Sequence, residues 1–90
     1  MNAQFWPAQF DRLPHFLLNL ECLGPAGQSE AVINECNEAN GFFHAPARNR
    51  SHLWELSLHG VYVTGASEGE AIRNWKKAAQ YQVATDTGAA

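Results

Sequence analysis

Ninety residues, with six Lys+Arg set against nine Asp+Glu, carry a formal net charge of −3. That length allows one domain with a modest core and excludes a deep cleft between two lobes, and the mild acidity disfavours generic binding to a phosphate backbone. No apolar run approaches the roughly 20 residues needed to cross a bilayer, so no membrane association is expected.

The start, MNAQFWPAQF, lacks the basic segment and the apolar run of a secretion signal, and there are only two cysteines, Cys22 and Cys36. A cytoplasmic, reducing location is the expectation. Residues 1–10 carry Phe5, Trp6 and Phe10, an aromatic load that predicts docking. These residues either pack on the domain's own core or form an arm offered to a partner or a second copy. Residues 11–82 are predicted to form a single α+β domain and 83–90 a frayed tail.

Asp11 to Leu23 fits two templates. As a helix, Leu13, Phe16, Leu17, Leu20 and Leu23 share a face, Asp11 caps, Pro14 falls in the first turn and Gly24-Pro25 stops the run. As a strand, Phe16, Leu18, Leu20 and Cys22 alternate with Leu17, Asn19 and Glu21. The lack of β-branched residues favours the helix. Ser29 then caps a predicted helix over 29–40, carrying Val32, Ile33, Cys36 and Ala39, with Asn40-Gly41 as a left-handed stop. Of Phe42 and Phe43, one is expected to pack back on that helix and the other to enter the main core. Residues 44–52 read as a polar loop with Arg48 and Arg50.

From Trp54 to Gly65, alternation on either side of His59-Gly60 predicts a two-residue β-hairpin within 52–65. Leu58 then faces Val61, Ser57 faces Tyr62, Leu56 faces Val63 and Glu55 faces Thr64. Trp54, Leu56, Leu58, Val61 and Val63 are placed inward, and Glu55, Ser57, Tyr62 and Thr64 outward. Ser67 and Glu70 form a capping box opening a helix over 67–82, whose Ala71, Ile72, Trp75, Ala78 and Ala79 make one apolar stripe. The expected architecture is therefore α+β: a small antiparallel sheet of two or three strands packed on the helices 29–40 and 67–82.

The segments that could carry chemistry do not assemble a motif. Cys36, His44, His52 and His59 lack the close pairing of structural zinc ligands, and Glu35, Cys36 and His44 sit in no strained elbow or glycine-rich loop. Gly60 and Gly65 match neither phosphate-loop pattern. No cofactor, no metal and no enzymatic activity are expected.

The run Gly60-Val-Tyr-Val-Thr-Gly65-Ala-Ser67-Glu-Gly-Glu70-Ala71-Ile72-Arg-Asn74-Trp-Lys-Lys-Ala78 resembles the strand, tight turn and capped helix of HicB-like antitoxins. The resemblance implies a small antitoxin that binds and blocks an RNA-cleaving toxin. The element order also resembles a double-stranded-RNA-binding domain, but Glu68 and Glu70 stand where that family places phosphate-gripping lysines.

A small non-enzymatic protein-binding or regulatory module is thus the expected function. Aromatics exceed what the core needs, and such a surplus marks interfaces. Partner-binding residues are predicted to be Phe5, Trp6, Phe10, Tyr62, Arg48 and Arg50, facing a protein partner or a second copy in a homodimer. An unpaired sheet edge would add to that surface, since neither hairpin strand contains lysine or proline. The alternative is an RNA- or DNA-contacting module using Arg48, Arg50, Tyr62 and the Arg73, Lys76 and Lys77 face.

Overall fold

The computed structural model describes residues 8–48 and 52–88. In chain order these form α1 (Ala8–Glu21), α2 (Pro25–Ala39), β1 (Phe42–His44), β2 (Trp54–Leu58), β3 (Val61–Gly65) and α3 (Glu68–Gly88). The sheet is antiparallel with strand order β1-β2-β3, and the α+β architecture expected from the sequence is the one found.

Of the two templates open for residues 11–23, the helix is adopted. Leu13, Phe16, Leu17 and Leu20 are buried, whereas Leu23 lies beyond the helix and stays 39 % exposed. The helix begins before the expected cap, at Ala8, which places Pro14 in its interior. Proline there removes the hydrogen bond to the Phe10 carbonyl, a loss that the buried stripe outweighs. The carboxyl end is closed from outside, because the Gln28 side-chain amide donates to the carbonyls of Leu20 and Leu23 at 2.9 and 3.0 Å.

The second helix also begins earlier than its expected cap at Ser29. Gly24 takes the N-cap position in extended backbone with Pro25 just inside, where a missing N–H costs nothing. Ser29 instead donates its hydroxyl to Glu68 Oε2 at 2.6 Å, tying α2 to the start of α3. The stop is as expected: Asn40 is left-handed at φ 61°. Gly41 follows for a different reason, since a Cβ there would lie 2.4 Å from the Ser57 carbonyl oxygen. Only glycine lets the chain turn this close to β2 and start a third strand.

The hairpin register agrees with the expected pairs, and His59 and Gly60 both have positive φ, at 54° and 79°, as a type I′ turn requires. Leu56, Leu58 and Val61 are buried, Val63 is half-buried, and Tyr62 is exposed. Trp54 departs from the expected core placement. It sits at the sheet's open end, opposite Gly65, half-buried with its ring 5.3 Å from Phe43.

The third helix covers the inner face. Trp75 is wholly buried and its indole N–H donates to the Leu58 carbonyl at 3.1 Å, so this large ring leaves no polar atom unmet. The capping box closes with a one-residue offset: Glu70 N–H donates to Ser67 Oγ at 3.1 Å, while Glu70 Oε1 accepts from Ala66 N–H at 2.8 Å rather than from Ser67. The helix continues to Gly88, past the expected end at Gln82, and Val83 packs on the core where a frayed tail was expected. Among the described residues, no helix is long and apolar enough to cross a membrane.

Candidate functional site: the outer face of the sheet

Antiparallel alternation puts Phe42, Ser57 and Tyr62 in one row across all three strands, and His44, Glu55 and Thr64 in the next. Because α2 and α3 cover the opposite face, these six side chains make the sheet's outer surface. Small Ser57 leaves a gap between its neighbours, and Phe42 and Tyr62 lean toward one another over it with ring centroids 6.4 Å apart. Phe42 also stacks on His44 at 4.6 Å and 17°.

Tyr62 is the most exposed member at 56 %, and its hydroxyl donates to Glu55 Oε2 at 3.3 Å. Its pKa is raised, first by partial desolvation among its neighbours and then by the charge and hydrogen bond of Glu55. The phenol therefore stays protonated at neutral pH and remains a donor. The arrangement is a small pre-ordered aromatic patch with one carboxylate hydrogen-bonded to Tyr62, able to bury rings and exchange hydrogen bonds. Among the described residues no three potential metal ligands come together.

The sequence-predicted interface residues are scattered relative to this patch. Tyr62 belongs to it, on the outward side that the alternation predicts. Arg48 is exposed in the loop after β1 and makes no hydrogen bond or ion pair with another described residue. Phe5, Trp6 and Arg50 lie outside the described residues; Phe10 lies within α1, and its side chain is likewise outside them. Arg73, Lys76 and Lys77 stand on α3, across the sheet from Tyr62, and Lys76 is engaged by Glu21 at 3.5 Å. The basic row and the aromatic patch thus do not form one face.

Phe42 and His44 were missed as site residues. Sequence reasoning kept both phenylalanines for packing, but in a strand adjacent residues point to opposite faces, so only Phe43 could enter the core. The diphenylalanine followed by histidine was the available signal.

A second cluster was also missed. His59, at the hairpin tip, is 8 % exposed in its side chain and its Nε2 lies 2.8 Å from Glu35 Oε2. Arg12 reaches the same carboxylate from α1 through Nε at 2.7 Å and Glu38 through its terminal nitrogen at 2.8 Å. These carboxylates hold the Arg12 guanidinium above its ordinary pKa, the hydrogen bond to Glu35 contributing most. The cluster joins α1, α2 and the hairpin, and its groups are spent on one another. Cys36 follows Glu35 on α2; burial, then the Glu35 charge, push its thiol up to about 11, so it is protonated and unreactive at neutral pH.

No family model, curated protein or solved structure matches the chain.

Proposed function

We propose that this chain is a small non-enzymatic protein-binding module, of the regulatory or antitoxin-like kind, which engages its partner through the outer face of the sheet. The observation that carries this reading is the exposed row Phe42–Ser57–Tyr62 with His44 stacked beside it. Rings held in place by one another bury area on a partner with little further loss of rotamer freedom, and Tyr62 adds a donor. Isolated exposed side chains such as Leu18 and Tyr81 are ordinary surface by comparison.

Nucleic-acid binding is the competing reading, because exposed sheet aromatics also stack on bases. Glu55 within the patch would repel a phosphate backbone, and the basic residues of α3 lie on the other side of the sheet. A protein surface, including a second copy of this chain, fits better. Affinity capture from the source cell with the wild type and with Phe42→Ala/Tyr62→Ala tests the proposal, alongside light scattering of the chain alone. The expected result is a protein, or a homodimer, lost in the double variant and retained when salt is raised. A co-purifying nucleic acid whose affinity falls steeply with salt would favour the competing reading.

A further inference from the structure

The two edges of the sheet differ. In β3, Tyr62 and Thr64 turn their backbone N–H and C=O away from β2, and there the Asn74 side chain donates to the Thr64 carbonyl at 2.8 Å. A residue of α3 thus occupies the hydrogen-bonding position that an added strand would need. This blocks one end of the β3 edge, whereas the sequence led us to expect at least one edge of the sheet to be unpaired.

In β1 the close approach of Gly41 to the Ser57 carbonyl marks Phe42–Ser57 as a hydrogen-bonded pair. By alternation His44–Glu55 is another, which leaves Phe43 as the residue whose N–H and C=O point outward. Among the described residues nothing hydrogen-bonds to them. Beside this edge runs a groove of about 260 Å³ between β1 and α2, lined by Ile33, Cys36, Asn37, Phe42, Phe43 and His44 among others. Ile33 is 44 % exposed there. The protonated Cys36 thiol keeps that wall neutral.

We propose that the β1 edge accepts a short extended segment of a partner protein, added as a fourth strand alongside α2. This rests on the protein-binding reading and names the kind of partner. Outward N–H and C=O groups on a strand are met by the backbone of another extended chain, which a helix or a closed globular surface does not offer. Side-chain chemistry follows from the pleat: the added residue opposite Phe43 points to the helix side, against Ile33 and Asn37. Its two neighbours point to the outer side, against the stacked rings of Phe42 and His44. The segment recognised is therefore an apolar residue flanked by flat side chains. With three residues in β1, backbone pairing is brief, and the groove and rings supply the remaining affinity.

The test selects phage-displayed random short peptides on the full chain and measures the affinity of the synthetic winners by calorimetry. The expected winners share the apolar residue between flat neighbours, and binding protects the Phe43 amide from hydrogen exchange. N-methylation of the peptide backbone opposite Phe43 is expected to abolish binding, a readout independent of folding of any variant. Ile33→Glu is expected to weaken binding by about tenfold or more. Tyr62→Ala, two strands away, should give the smaller loss, and Tyr81→Ala on α3 none.

Winners that tolerate N-methylation and Ile33→Glu but fail with Tyr62→Ala would sit on the outer face alone. That result overturns the edge proposal and leaves the protein-binding reading standing. A chain that pairs β1 with β1 of a second copy, and so excludes peptides, overturns the peptide assignment in favour of a homodimer. No winners from a monomeric chain that also captures no protein would remove both.

Discussion

The same three strands present two faces with opposite chemistry. The inner face is closed: Leu56 is wholly buried and Leu58 is 1 % exposed, with Trp75 across them and its one polar atom bonded. The outer face leaves Phe42 and Tyr62 exposed around Ser57, with their rings leaning toward one another. Alternation alone assigns residues to the two faces, yet burial makes one the source of stability. The other can then change with little effect on the fold and is free to serve recognition.

The sharpest way to break this comparison is on the inner face. Trp75→Ala removes the largest buried ring and its hydrogen bond to the Leu58 carbonyl, and should cost about 3–5 kcal/mol in chemical denaturation. Gly41→Ala sets a Cβ against the Ser57 carbonyl and should cost about 1–3 kcal/mol, with loss of the β1 amides' exchange protection. Ser67→Ala removes the acceptor for Glu70 N–H and should cost about 1 kcal/mol. At the small end, Tyr62→Ala should change stability by no more than about 0.5 kcal/mol while weakening partner binding.

Cys36 sharpens the same contrast through pH. Its thiol titrates at about 11 in the fold against 9.0 as reference, so between those values the unfolded chain loses its proton first. Stability contributed by the protonated thiol is whole below pH 9 and is lost as pH rises through that window. Denaturation midpoints should show this decline, and Cys36→Ala should remove it. Alkylation at neutral pH should label exposed Cys22 first and reach Cys36 only on unfolding.

Much of the fold was legible because local signals agreed with one another. The hairpin register followed from alternation around His59-Gly60, and the last helix from Ser67, Glu70 and the stripe through Trp75. Helix starts were less legible: Asp11 and Ser29 are good capping residues, but Gly24-Pro25 also starts a helix well, and Ser29 had a distant partner in Glu68. Long-range pairs carry no local trace, which is why Glu35 with His59 and Asn74 with Thr64 were not foreseen.

In the candidate site the hairpin's share was legible, because alternation alone turns Glu55, Ser57, Tyr62 and Thr64 outward, whereas the share of β1 was not. Phe42 and His44 join it because Gly41 allows a third strand beside β2, a close approach that composition and spacing do not encode.

The central claim is that the outer face recognises a protein. It is tested most directly by the salt dependence of affinity for the captured partner, measured with the wild type and with Phe42→Ala/Tyr62→Ala. The account predicts an affinity nearly flat with salt in the wild type and a loss of about 2 kcal/mol or more in the double variant. Affinity that falls steeply with salt and is indifferent to the double substitution would contradict it.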